Sequence, residues 1–203
     1  MATITTRIGP ADHGRRMSLE EFREADEEPG HRYELARGVI EVTEVPNDAH
    51  GLIVCNLYRL IARFEVDHPG LIYRYGGGSE FRIWLPGMES GRNPDLGVVL
   101  ISTPRDARGR RPPSLVAEVV SQRSGERDYT AKRDEYLAFG IQEFWVVDPT
   151  SRRVVVLTRL GDSWVERICQ GDDPIPSRLL PGFAGRVAGL WAFLDPDEEP
   201  GEG

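Results

Sequence analysis

The apolar run Leu115–Val120 (LVAEVV) is the strongest constraint on how this chain folds. Such a run predicts a β-strand buried on both faces, which places it in the middle of a sheet. Its one charged residue, Glu118, would be costly to desolvate unless a cation or several hydrogen-bond donors compensate the carboxylate. The run therefore predicts a central strand carrying a buried acid, either at a functional site or in a salt bridge to one of the many arginines.

Strand and helix patterns alternate on both sides of this run. Ser18 and Glu21 form a capping box for a short helix, and Asn47–Asp48 cap a longer helix that reaches about His68. The alternation predicts a mixed α/β fold with a central mixed sheet, flanking helices and extra strands near both termini. We predict strands at 32–36, 39–45, two within 71–85 bent at Gly76–Gly78, then 95–100, 115–120, 144–147, 154–157 and 164–168. We predict helices at 18–28, 47–68 and 126–139.

The length of 203 residues and the 39% hydrophobic content fit a single domain, 1–203. We expect a core over about 18–194, with flexible tails at 1–16 and 195–203 and a closing segment at 179–194. No run has the roughly 18 apolar residues of a membrane span, and the start lacks the apolar stretch of a signal peptide, so we expect a cytoplasmic protein without membrane contact. Cys55 and Cys169 are expected to be buried free thiols.

The formal net charge of −8 argues against binding nucleic acid through a surface that is basic all over. Basic residues are nevertheless concentrated in one stretch, so any such contact must be local. The loop 105–111 within this stretch could contact phosphates or could simply be solvated. The basic residues of the stretch are Arg105, Arg108, Arg110, Arg111, Arg123, Arg127, Lys132 and Arg133.

Asp95 opens the strand that precedes Leu115–Val120, so pairing of the two strands would bring Asp95 and Glu118 to one edge of the sheet. Two carboxylates that leave room for water and a phosphate suit Mg²⁺, for which Mn²⁺ can substitute. Zinc is not indicated, because the four histidines lack paired ligand spacing. Asp95 could equally be a simple cap after Pro94.

Lys132 is the only lysine among 25 basic residues. A compact ammonium with an adjustable pKa can orient a water molecule and stabilise a phosphate in ways that a planar guanidinium cannot. Tyr129, Lys132 and Tyr136 share one helical face, which should turn toward the sheet and Glu118. The alternative is a lysine that extends along an apolar face toward solvent.

Four blocks of this chain together resemble the Uma-type restriction endonucleases of the PD-(D/E)XK nuclease superfamily. These blocks are Asn93–Asp95, Val116–Ser121, Asp128 with Lys132–Tyr136, and Gly140–Pro149. The resemblance runs from about Ser18 to Leu194, and the part from 116 to 149 is the most specific.

This resemblance implies a nuclease fold that cleaves nucleic acid, DNA by default, with Asp95 and Glu118 as Mg²⁺ ligands and a lysine assisting the attacking water. It also implies roles near the site for Glu34 and His50, and a possible homodimer. From the residues alone, Glu34 could lie on a solvated face and His50 could be a satisfied boundary histidine.

One position departs from the superfamily pattern, which places a lysine two residues after the acid, where this chain has Val120. Lys132 could replace that lysine from the adjacent helix. We therefore predict a Mg²⁺-dependent endonuclease. A nuclease-fold module that has lost activity and binds nucleic acid or protein is the alternative, and a hydrolase of small phosphate esters is a third.

Overall fold

The computed structural model describes residues 6–120 and 125–194, and the side chains of the latter part from Tyr129 onward. In the described chain, more residues lie in β-strands than in α-helices. The α-helices are α1 (Leu19–Glu24), α2 (Asp48–Asp67) and α3 (Gly125–Phe139). The strands are β1 (Arg7–Ile8), β2 (Asp26–Glu27), β3 (His31–Ala36), β4 (Val39–Glu44), β5 (Ile72–Gly76), β6 (Ile83–Leu85), β7 (Ser90–Arg92), β8 (Leu96–Leu100), β9 (Leu115–Val119), β10 (Glu143–Asp148), β11 (Arg153–Leu160) and β12 (Ser163–Gln170).

The main sheet has six strands in the order β12-β11-β10-β9-β8-β5. β9 and β10 are parallel and are joined through α3, whereas the other neighbouring pairs are antiparallel. β9 therefore lies inside the sheet and is buried throughout, as its apolar sequence predicts. The expected mixed α/β architecture is confirmed.

Two helices cover opposite faces of the main sheet. Ile53, Leu57 and Ile61 of α2 pack with Val98 and Ala117 on one face, where the closing segment also contributes Leu180, Val187 and Leu190. On the other face, Tyr136 of α3 packs with Val116 and Phe144. Side chains alternate along β9, so Glu118 shares the α3 face with Val116.

A second, antiparallel sheet has the order β4-β3-β7-β6. Its β3–β4 hairpin was predicted, and the connecting Arg37 and Gly38 both have positive φ, as a tight two-residue hairpin turn requires. The stretch 71–85 forms two strands as predicted, but β5 belongs to the main sheet and β6 to the second one. The glycines at 76–78 therefore separate two sheets, whereas the irregular pairing of β5 lies between Ile72 and Arg74.

Two local expectations differ from the structure. Residues 6–16, expected as part of a flexible tail, pack on the body through a fully buried Ile8 and a bridge from Arg16 to Val39. Cys55 is a free thiol but is exposed, because it falls on the outer face of α2, whereas Cys169 is buried and free. Phe193 of the closing segment is also exposed.

None of the helices in the described part of the chain combines the length and apolarity needed to span a bilayer.

Gly97 in β8 makes room for an aromatic ring on the α3 face of the main sheet. A Cβ at position 97 would lie 2.3 Å from Phe81 Cε1. Gly76 of the neighbouring strand β5 also faces Phe81, so the ring lies over the β5–β8 pair. A side chain at position 97 would displace this ring.

We expect Gly97→Ala to lower the free energy of unfolding by roughly 1–3 kcal/mol, because overpacking a filled site forces neighbouring side chains out of position. Gly51→Ala on α2 is the matched control. No atom lies within 4 Å of its added Cβ, so it should raise stability by roughly 0.5–1 kcal/mol. Urea denaturation measures both, and equal stability of the two variants would contradict the packing of Phe81 on Gly97.

Candidate active site

Asp95 and Glu118 meet at one end of the β8–β9 pair. Leu96 pairs with Ala117, which sets Asp95 next to Glu118 across the two strands. The backbone N–H of Val119 donates to Asp95 Oδ2 at 2.8 Å. Both side chains are buried, with relative exposures of 6% for Asp95 and 9% for Glu118. The structure therefore brings the two predicted metal ligands together.

Glu118 is contacted by two side chains of α3. Lys132 Nζ donates to Glu118 Oε2 at 3.2 Å, and the Tyr136 hydroxyl donates to Glu118 Oε1 at 2.7 Å. Lys132 and Tyr136 are one helical turn apart, which puts both on the face of α3 toward the sheet. The inward orientation predicted for Lys132 is found.

Asp95 is also contacted by residues of β3 and α2. Arg32 of β3 donates to Asp95 Oδ1 at 3.1 Å, and His50 Nε2 lies 3.2 Å from the same oxygen. The hydroxyl of Tyr58 donates to the Asp95 backbone carbonyl at 3.1 Å. The Asn47 cap positions His50, because the Asn47 side chain accepts from the backbone N–H of His50 at 3.0 Å.

The two carboxylates have opposite pKa shifts. Burial acts to raise the pKa of Asp95, but the hydrogen bond and charge of His50, together with Arg32 and the Val119 N–H, lower it to about 2. Burial raises the pKa of Glu118 to about 7, against the opposing charge of Lys132 and with a further rise from the charges of Asp95 and Glu34. Asp95 is therefore anionic at neutral pH, whereas Glu118 is poised between its two protonation states.

Glu34 connects this pair to a second group of buried charges. Its Oε2 atom lies 3.3 Å from Lys132 Nζ and 3.1 Å from Arg92 Nη1. Its Oε1 atom accepts from the backbone N–H of Asn93 at 2.7 Å. Burial acts to raise the pKa of Glu34, but Lys132 and Arg92 lower it overall. Glu34 is thus a site neighbour that helps to hold Lys132, not a solvated residue.

Arg92 is the centre of this second group and is fully buried. Its Nε donates to Glu135 Oε2 at 2.8 Å, and its Nη1 donates to Glu41 at 2.7 Å as well as to Glu34. Glu135 is also fully buried and immediately precedes Tyr136 in α3. Arg92 therefore links β3, β4 and α3 through buried ion pairs next to the site.

The donor set fits a divalent cation that keeps most of its water. Among the described residues, no group of three or more His, Cys, Asp or Glu side chains is arranged to hold a metal by itself. Burial and the charges of Asp95 and Glu34 raise the pKa of Glu118 in spite of Lys132, so positive charge is favourable beside its carboxylate. One or two carboxylates completed by water and phosphate are the usual Mg²⁺ arrangement, so the residues present fit this ion.

Sequence reasoning missed Arg32, Arg92 and Glu135. Arg32 and Arg92 are two of 24 arginines in the chain, and neither lies in an apolar context that would mark burial. Glu135 follows the charged residues Arg133 and Asp134 in the sequence, so nothing indicated that it is buried. Some residues named in the sequence analysis lie outside the described part of the chain, namely Ser121, Arg123 and the side chains of Arg127 and Asp128.

The chain matches a family model over residues 19–188. That model is Uma2, described as putative restriction endonuclease, and it covers most of the chain. The chain belongs to the Uma2 family. The family predicted from the blocks around Asp95 and Glu118 is confirmed, and with it the assignment to a group of nuclease-type enzymes.

A solved structure has a similar fold to this Uma2 chain. It is described as a putative nuclease belonging to DUF820 from Anabaena variabilis, and it is 20% identical with a TM-score of 0.69. The match covers 86% of this chain and 97% of the other. No curated protein matches the sequence.

Replacing Arg92 by methionine should destabilise the fold strongly. The change leaves Glu135 buried without its main partner, and breaking a buried ion pair in this way costs about 3–5 kcal/mol. Arg63→Ala on the exposed face of α2 is the control, with an expected change within about 0.5 kcal/mol. Chemical denaturation followed by tryptophan fluorescence measures both, and a loss below about 1 kcal/mol for Arg92→Met would contradict the role of Arg92.

Proposed function

We propose that this Uma2 chain is a Mg²⁺-dependent endonuclease that hydrolyses phosphodiester bonds of DNA. The observation that supports it most directly is the contact of Lys132 with Glu118, next to Asp95. A carboxylate pair accompanied by an ammonium group is the chemistry that metal-assisted phosphodiester hydrolysis uses. The family description supports DNA as the substrate.

In this proposal Asp95 and Glu118 hold the cation, which would supply charge neutralisation at the phosphate and a more acidic bound water. Lys132 orients the attacking water and stabilises negative charge that develops on the phosphate. The 3.2 Å contact keeps its ammonium beside Glu118, while Glu34 holds it from the other side. Lys132 thus supplies from α3 the charge that the superfamily pattern places at the position of Val120.

Arg32, His50 and Tyr136 support these groups. Arg32 and His50 fix the orientation of Asp95 through the same oxygen. The Tyr136 hydroxyl donates to the second carboxylate oxygen of Glu118 and so helps to fix the rotamer of that side chain. The His50 side chain is 15% exposed, so part of its ring is open to solvent beside Asp95.

We expect Glu118→Ala to abolish cleavage of plasmid DNA in Mg²⁺ or Mn²⁺, because it removes one of two acidic cation ligands. Glu65→Ala on α2, which lies on the opposite face of the main sheet, is the control and should cleave normally. Gel electrophoresis of supercoiled and linear plasmid measures both. Cleavage that survives Glu118→Ala, or a wild-type protein that cleaves no form of DNA, would contradict the proposal.

Lys132→Arg should lower the cleavage rate by on the order of 10²–10³, the scale seen when one transition-state stabilising donor is lost. The charge is kept, but the guanidinium cannot occupy the position of Nζ between two carboxylates. The thermal midpoint of the variant checks that it is folded.

Calorimetric titration with Mn²⁺ separates the enzyme from a binding module that has lost activity. The enzyme should bind Mn²⁺ in the wild type and in Lys132→Arg, but not in Asp95→Asn. A Lys132→Arg variant that is folded, binds Mn²⁺ and cleaves at the wild-type rate would rule out a catalytic role for Lys132.

A further inference from the structure

A concave surface lies beside the candidate active site, and none of its lining residues is among the predicted site residues. We call it the arginine cleft. It encloses about 300 Å³ between α1, β5, the segment 81–86, the loop 106–113 and the end of α3. Its basic lining residues are Arg23, Arg74, Arg82, Arg108, Arg110 and Arg111.

The cleft is strongly basic in a chain whose formal net charge is −8. Asp106 is the one acidic residue that lines it, and Asp106 is engaged within its own loop. Its carboxylate accepts from the backbone N–H groups of Arg108 and Arg110 at 2.9 and 2.8 Å, and from the Arg110 side chain. Outside the cleft, Glu27 pairs with Arg82 at 2.7 Å. The positive charge of the other arginines still exceeds the single negative charge of Asp106.

Aromatic rings hold three of these guanidinium groups in place. Arg74 lies over Phe81 with its Cζ 4.4 Å from the ring centroid. Arg23 and Arg82 lie over Trp84 at 4.7 and 5.4 Å. Stacking of this kind fixes the plane of each guanidinium. The N–H groups of Arg82 are engaged with Glu27, Tyr33 and Asn93, so Arg23 and Arg74 are the stacked arginines that can bind phosphate. The cleft is thus ordered before any ligand arrives.

The cleft is connected to the candidate active site through two contacts. Phe81 packs on Gly97, which is two residues along β8 from Asp95, a separation of roughly 7 Å. Arg82 Nε donates to Asn93 Oδ1 at 2.7 Å, and the Asn93 carbonyl accepts from Arg32, the partner of Asp95. The arginine cleft therefore borders the Asp95–Glu118 pair.

We propose that the arginine cleft binds an unpaired strand of the nucleic acid beside the phosphodiester that is cleaved. The proposal rests on the proposed nuclease function and names the form of its substrate. A cavity of about 300 Å³ is at the small end of ligand pockets and accepts one nucleotide unit, not a duplex. An acidic peptide would match the charge but offers no flat base for the guanidinium planes.

Fluorescence anisotropy with a short labelled oligonucleotide, single-stranded or in duplex form, tests this inference in EDTA, where binding is measured without cleavage. The double variant Arg74→Ala/Arg108→Ala should bind the single strand on the order of tenfold more weakly than wild type. The slope of log K against log salt should fall by about 1.4, the value for two lost phosphate contacts on a single strand. Arg63→Ala/Arg167→Ala removes the same charge from exposed positions elsewhere and should bind like wild type.

Tighter binding of the single strand than of the duplex, lost only in the cleft variant, supports the inference. The inference is overturned if the cleft variant and the control variant bind the single strand equally well, or if wild type prefers the duplex. It is also overturned if polyglutamate competes as strongly as an unlabelled single strand. These results are independent of catalysis. A protein that binds the single strand through the cleft but never cleaves would refute the proposed nuclease activity and leave the cleft assignment standing.

Discussion

The carboxylate of Glu118 is buried in the central strand of the main sheet, and the arrangement around it follows from that burial. This carboxylate needs partners, because an uncompensated charge among apolar residues is costly to desolvate. α3 supplies the compensation through Lys132 and Tyr136, which fixes the rotation of the helix against the sheet. The same contacts determine which helical residues reach the site.

The two carboxylates of the site differ in how well their negative charges are compensated. Asp95 has an arginine, a histidine and a backbone N–H as partners, so its charge is well compensated. Glu118 has one ammonium, which it shares with Glu34, so burial outweighs that charge and raises the pKa of its carboxyl. A site of this kind keeps a place where positive charge is favourable. Arg92 and Glu135 stabilise the elements behind it without occupying that place.

The sequence predicted much of this structure where local chemistry decides it. The capping box at Ser18, the Asn47 cap, the β3–β4 hairpin and the end of α3 at Gly140 depend on residues close together in the chain. The central position of β9 followed from its apolar run. The meeting of Asp95, Glu118 and Lys132 was also predictable, because strand pairing and helical periodicity both point to it.

What could not be predicted depends on contacts between distant segments. β7 is a three-residue strand, Ser-Gly-Arg, with no strand pattern, and it exists because β3 and β6 pair with it. The assignment of β5 and β6 to different sheets has the same origin. Arg92 is buried only because Glu34, Glu41 and Glu135 arrive from three other elements, and no single window of sequence contains that information.

The loop 101–114 joins β8 to β9 at the end of the strand pair opposite to Asp95 and Glu118. Lengthening an exposed loop costs little free energy, because the closure entropy grows only slowly with length. Relatives could therefore insert or replace residues here while the carboxylates keep their register. Because the same loop supplies Arg108, Arg110 and Arg111 to the arginine cleft, changes in the loop would alter what the cleft binds without moving the carboxylates.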